Sequence, residues 1–197
     1  VTNGKTKKYY SKLKRQGVPV KHVQRGKTSR EAHAKSLNKI RDYFLKGNYD
    51  YLMSFESDLI PPVDIIERLL AHDKDVVGCM YNIGFADSPS EPPRPCLFRV
   101  EELEDGSYGT KNLPAKEGFS LFGNGVIRIH GCGLGTTLIK RHVLEKVFFT
   151  YTLDTEKPMH SDVLFYLDVA KKNIPVWVDT DIFIPHFNSD WLFVKDI

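Results

Sequence analysis

The sequence of 197 residues predicts an α/β domain built on a mainly parallel sheet with flanking helices. Three observations carry this expectation. Strand-like and helix-like segments alternate along most of the chain, the pattern of strands joined by crossover helices. Tyr49 to Phe55 is an apolar run with almost no polar interruption, as expected of a strand covered on both faces. Hydrophobic residues make up 41% of the chain against 27% charged, a balance that can fill a core.

Lys5 to Gln16 reads as a helix that Gly17 ends, and Val18 to Val23 as a strand. Thr28 or Ser29 caps the next helix. Ala32 stands three residues after Ser29, so no capping box is expected. That helix places Ala34, Leu37, Ile40, Phe44 and Leu45 at helical intervals and stops at Gly47-Asn48. The strand to Phe55 ends at Glu56-Ser57-Asp58. Pro61 and Pro62 start a helix through Leu70, and Asp75 to Met80 is a further strand. The four prolines between Ile83 and Pro95 mark a loop or flap. Short strands and turns follow from Cys96 to Val126, with Asp105-Gly106 as a hairpin signal. Gly131-Cys132-Gly133-Leu134-Gly135 breaks the chain before a strand over Thr136 to Ile139. Arg141 to Val147 is a short helix, Ser161 caps a helix over Asp162 to Lys172, and Ile174 to Val178 is a strand that Asp181 to Pro185 extends.

No run approaches the roughly 18 apolar residues that span a bilayer, and a cytoplasmic location is expected. Cys79, Cys96 and Cys132 lack metal-ligand spacing, and three cysteines argue for a reducing compartment rather than a disulfide scaffold. The net charge of +3 is unevenly spread: Val1 to Lys46 holds 14 Lys and Arg against Glu31 and Asp42, and the remainder is net acidic. A basic first quarter points to an anionic partner, whether a nucleotide diphosphate, a nucleic acid or a membrane surface.

Glu56 and Asp58 are the residues with the clearest chemistry. They follow a buried strand, and open α/β sheets bind ligands outside the carboxyl ends of their strands. Two carboxylates one residue apart can both reach a hard cation, and oxygen ligands suit Mg²⁺ or Mn²⁺. Such a cation bridges to nucleotide phosphates.

The stretch Tyr51-Leu52-Met53-Ser54-Phe55-Glu56-Ser57-Asp58-Leu59-Ile60-Pro61-Pro62, then Ile65 to Leu70 and Asp75-Val76-Val77-Gly78, resembles the DxD region of family-2-like GT-A glycosyltransferases. Glu56 stands in place of the first Asp. Other segments resemble the family in order. Thr2-Asn3-Gly4-Lys5-Thr6 is similar to the D-N-x-S segment that closes its second strand, which implies that the first strand lies upstream of Val1. Gly26-Lys27-Thr28-Ser29-Arg30 and Asn38 resemble its glycine-led segment near the diphosphate. Gly131 to Thr137 with Leu138-Ile139-Lys140-Arg141 resembles its G-x-G-x-x-L-I-x-R segment. His160-Ser161-Asp162-Val163-Leu164-Phe165 resembles its E-D-x-x-F stretch, with Ser161 replacing the first acid. Val176 to Thr180 followed by His186 resembles its closing strand and histidine.

The resemblance implies one GT-A catalytic domain over residues 1–197, moving a sugar from a nucleotide-diphosphate donor to a hydroxyl acceptor such as a glycan, lipid, protein or modified nucleic acid. It implies Asp58, Glu56 and His186 as ligands of Mn²⁺ or Mg²⁺. Lys27, Arg30 and Ser57 are implied at the diphosphate, and Gly133, Gly135 and Thr136 at the donor pocket. Asp162 is implied as the general base of an inverting reaction. Three other readings stand beside it. One is a nucleic-acid-binding protein, or a nucleic-acid-modifying sugar transferase, that uses the basic first quarter with Tyr9 and Tyr10 as stacking groups. Another is a nucleotidyltransferase that releases pyrophosphate. The last is a degenerate domain that binds sugar nucleotides without turnover.

Overall fold

The structure is a computed structural model that describes residues 7–24, 26–84, 93–152 and 159–186, leaving aside the side chains of residues 7–10. The Thr2 to Thr6 segment and the Tyr9 and Tyr10 side chains lie outside the described residues. In chain order the elements are α1 (Lys7–Arg15), α2 (Ser29–Lys46), β1 (Tyr51–Phe55), α3 (Ile65–Ala71), β2 (Val76–Ile83) and β3 (Arg94–Pro95). Then come β4 (Leu97–Glu102), β5 (Tyr108–Asn112), α4 (Ala115–Ser120), β6 (Val126–Ile129) and β7 (Gly131–Cys132). The last are β8 (Thr136–Lys140), α5 (Arg141–Lys146), α6 (Ser161–Lys171) and β9 (Val176–Ile184).

Gly17 ends α1 with φ at 75°, a conformation that glycine adopts without a Cβ penalty. The strand expected over Val18 to Val23 does not form. His22 alone makes a bridge there, and Pro19, second in the segment, removes a ladder donor. Thr28 caps α2: its Oγ1 accepts from the Glu31 N–H at 3.1 Å. The Glu31 carboxylate in turn accepts from the Lys27 N–H at 2.6 Å. Thr28, one of the two expected caps, is therefore the cap, and it opens a box-like start with Glu31 that counting from Ser29 does not show. Ser161 does not cap α6 either. His160 occupies the cap position and Ser161 Oγ instead meets His33 Nδ1 at 2.7 Å.

The main sheet has six strands, in the order β1-β8-β2-β9-β6 with β3 added beside β2. β2 and β9 pair in parallel, while β1·β8, β2·β8, β2·β3 and β6·β9 are all antiparallel. The sheet is therefore mixed and mostly antiparallel, not mainly parallel. β1, β2 and β9 share one direction, and β8 is inserted between β1 and β2 running the other way. A second sheet of three strands has the order β5-β4-β7. Its β4–β5 hairpin turns at Gly106 with φ at 76°, as the Asp105-Gly106 signal requires. β1 lies at one end of the sheet path and is half-buried, with Phe55 44% exposed. The doubly covered strand is β2 instead, buried from Val76 through Tyr81.

Alternation along β2 sorts the core onto two faces. Val76 and Met80 join a cluster with Phe44, Ile139, Leu144, Phe165 and Tyr166, beneath α2, α5 and α6, that also takes in Leu97 and Phe98 of the small sheet. Val77, Cys79 and Tyr81 join Leu59, Ile65, Leu69, Leu138 and Ile184 on the α3 side. All three cysteines are free thiols. No helix among the described residues is long and apolar enough to cross a membrane.

Two arginines lock α2 to α5 reciprocally. Arg41, only 5% exposed, donates from Nε to the carbonyls of Leu144 at 2.6 Å and Val147 at 3.0 Å, at the end of α5. Arg141, at the start of α5, donates to the carbonyls of Leu45 at 2.6 Å and of Gly47 and Tyr49 at 3.0 Å, at the end of α2. Each guanidinium satisfies carbonyls that a helix end leaves unpaired. Replacing Arg41 with Met keeps apolar bulk but orphans two carbonyls, so urea unfolding should show a loss of about 2 kcal/mol.

Candidate metal centre

β1, β2 and β9 deliver their carboxyl ends to one edge of the main sheet, where Glu56, Asp58 and His186 converge. Backbone contacts fix the approach. Leu59 and His186 form an antiparallel bridge, and the Ile60 N–H donates to the Pro185 carbonyl at 3.2 Å. The Glu56 N–H donates to the Gly135 carbonyl at 3.0 Å, tying the acidic turn to the glycine turn ahead of β8. One ligating atom from each of Glu56, Asp58 and His186 lies within 4.8 Å of the other two. A cation bound at about 2.1 Å needs its neighbouring ligands about 3–4 Å apart, so small side-chain rotations close the set.

The histidine is oriented for ligation. His186 Nδ1 lies 2.7 Å from the Asn82 carbonyl, which can only accept, so Nδ1 carries the hydrogen. In the neutral ring this leaves the Nε2 lone pair facing Asp58 Oδ2 at 3.5 Å. Two carboxylates and an imidazole lone pair thus converge as acceptors, and a proton or a cation resolves that arrangement. A carbonyl on the far nitrogen is the usual outer support of a metal-bound histidine. Burial, and then the charges of Asp58 and Asp162, push the Glu56 carboxyl up to about 7.

Asp162 sits in the first turn of α6, half-buried, its Oδ1 accepting from the Val163 N–H at 2.8 Å. Of the three causes that raise the Glu56 carboxyl, the charge of Asp162 is the smallest. His33 of α2 stands beside it through Ser161. Burial lowers the His33 pKa, with Asp162 opposing that shift. The diphosphate candidates are more scattered. Lys27 and Ser57 are exposed, and Arg30 is half-buried with an Nε that has no hydrogen-bond partner.

Gly133, Gly135 and Thr136, expected at a donor pocket, are buried, Thr136 completely. Their glycines have another explanation. A Cβ on Gly133 would lie 1.6 Å from the Tyr81 hydroxyl oxygen, and one on Gly135 would lie 2.9 Å from Glu56 Oε2 and 3.0 Å from the same hydroxyl. The turn omits side chains to make room for Tyr81 and Glu56. Tyr81 is 3% exposed and cannot step aside, so Gly133→Ala should lower stability by about 2 kcal/mol in thermal or urea unfolding. Tyr81 and Asn82 escaped the sequence analysis. No spacing rule marks them, because their roles depend on the register of β2 beside β9.

No protein-family model matches the chain, and no curated protein matches it. Among solved structures it is similar to A197 from STIV, at 18% identity and a TM-score of 0.50, over 89% of this chain and 76% of that one. At that identity the similarity speaks for the mixed α/β fold.

Proposed function

We propose that the chain is a metal-dependent glycosyltransferase of GT-A type that moves a sugar from a nucleotide-diphosphate donor to a hydroxyl acceptor. The observation that carries this reading is the convergence of Glu56, Asp58 and His186 at the carboxyl ends of three co-directed strands. The residues fit a divalent cation, which supplies electrostatic stabilisation to a leaving diphosphate. Two carboxylates with one imidazole favour Mn²⁺ over Mg²⁺, because Mg²⁺ prefers an all-oxygen shell.

The chain's own groups take the remaining roles. Asp162 accepts the proton of the acceptor hydroxyl, a role supported by its half-buried place in the first turn of α6 and by its charge acting on Glu56. Arg30, whose buried Nε has no hydrogen-bond partner, and the exposed Lys27 are the basic candidates for the diphosphate. A nucleotidyltransferase would use the same cluster, and released pyrophosphate rather than a nucleoside diphosphate distinguishes it. The exposed Lys12, Lys14 and Arg15 of α1 keep a nucleic-acid acceptor open to test.

The test is thermal stabilisation by a panel of nucleoside diphosphates and sugar nucleotides, with and without Mn²⁺, on wild type and Asp58→Ala. A ligand at 100 times its Kd adds about 2.7 kcal/mol. Mn²⁺-dependent stabilisation by one nucleotide class, absent in Asp58→Ala, is the expected result. The same stabilisation without metal, or in Asp58→Ala, removes the reading.

A further inference from the structure

Tyr81 of β2 is buried in the apolar cluster on the α3 side, and three of its contacts lead to the candidate centre. Its ring meets the His186 ring edge to face, with centroids 5.1 Å apart and planes at 79°. Its hydroxyl accepts from the Gly135 N–H at 3.2 Å. The Gly135 carbonyl accepts the Glu56 N–H in turn. The empty space above the Gly135 Cα is bounded by Leu59 Cδ1, by Glu56 Oε2 and by the same hydroxyl. One side chain therefore braces the ring of one candidate ligand and the backbone that launches another. Both braces come from neighbouring strands, so the contact spans β2, the β7–β8 turn and the segment after β9.

From this geometry we infer that Tyr81 is a positioning residue for the metal centre: its ring sets the plane of His186 and its hydroxyl sets the height of Glu56 through Gly135. The inference rests on the metal reading above. A three-residue site binds a cation well only when its ligands are held at their bound positions beforehand, and the groups behind the ligands do this holding. Asn82 fixes the tautomer of His186 through its carbonyl, but a single hydrogen bond leaves the ring free to tilt. The edge-to-face contact with Tyr81 removes that freedom. Glu56 lies on a turn rather than on a strand, and its tie to the glycine turn is useful only if that turn is itself fixed. Bonds at Gly133 to Cys96 and Thr137 hold the start of that turn, and the Tyr81 hydroxyl holds it at Gly135 itself. The position also accounts for Gly133 and Gly135: any side chain at either would enter the volume that Tyr81 and Glu56 occupy.

The experiment is Mn²⁺ titration by isothermal calorimetry, with the Mn²⁺ electron paramagnetic resonance spectrum as a second readout. It uses wild type, Tyr81→Phe, Gly135→Ala and Asp58→Ala, each checked for folding by circular dichroism. Tyr81→Phe keeps the ring beside His186 and deletes the hydroxyl. It should weaken Mn²⁺ about 10-fold to 100-fold and broaden the spectrum while the fold stays intact. Gly135→Ala puts a methyl against Leu59 Cδ1 as well as Glu56 and the hydroxyl; it should weaken Mn²⁺ likewise, and it keeps the inference testable if Tyr81→Phe folds poorly. Wild-type affinity and spectrum in both variants would overturn it while leaving the metal reading in place, provided that Asp58→Ala loses binding. If wild type binds no Mn²⁺, both fall together.

Discussion

Asp58→Ala should abolish Mn²⁺ binding, lowering affinity at least about 100-fold, and with it any sugar transfer, while the metal-free fold survives. Asp58 is half-buried and its carboxylate stands 3.5 Å from His186 Nε2. Removing it leaves a two-ligand site, and losing a ligand exceeds the 10-fold to 100-fold loss typical of an outer support. The fold should survive because the backbone bridge between Leu59 and His186 does not use the Asp58 side chain. The variant also relieves one of the two charges that act on Glu56, so the Glu56 carboxyl should return toward its ordinary range. Calorimetric titration with MnCl₂ and thermal melts without metal check both halves. Unchanged Mn²⁺ affinity would take Asp58 out of the site.

Glu56 makes the stability of the metal-free protein fall as pH rises. Its carboxyl is raised from 4.5 to about 7 in the folded chain, first by burial and then by Asp58 and Asp162. The folded state therefore holds a proton that the unfolded state gives up. The contribution is fully present below pH 4.5 and is lost as pH passes through 7. At 1.36 kcal/mol per pH unit the loss reaches about 3 kcal/mol. Glu56→Gln should flatten this slope and be the more stable protein at pH 8 in the absence of metal. Mn²⁺ affinity should run the opposite way, rising about tenfold per unit below pH 7 and levelling above it, because the cation displaces the proton. Urea unfolding of both proteins from pH 4 to 8 is the check. A wild-type slope equal to that of Glu56→Gln would contradict the account.

The acidic pair was legible because its signal is local. An apolar strand ending in Glu56-Ser57-Asp58 carries both the chemistry and its position at a sheet edge. The helix α2 was legible from its spacing, yet its buried Arg41 was not, since an arginine on a helical pattern reads as surface until its carbonyl partners on α5 are known. The capping box was within reach of the sequence, in Thr28-Ser29-Arg30-Glu31, but appears only when counted from Thr28. The direction of β8 was not legible at all. Alternating strands and helices say which segments are strands, not which way each enters the sheet, and the glycine turn sends β8 back between β1 and β2. The same turn gives Gly133 and Gly135 a packing role as well: clustered glycines signal a close approach, and one group that approaches is the buried hydroxyl of Tyr81. His186 was singled out by resemblance alone, and its partners Asn82 and Tyr81 required the register of the folded sheet.

The most direct measurement is anomalous X-ray diffraction from crystals soaked in MnCl₂ with a nucleoside diphosphate. The account predicts one strong manganese peak within about 2.3 Å of Glu56, Asp58 and His186, with diphosphate oxygens completing its shell. A peak elsewhere, or none at saturating Mn²⁺, would contradict it.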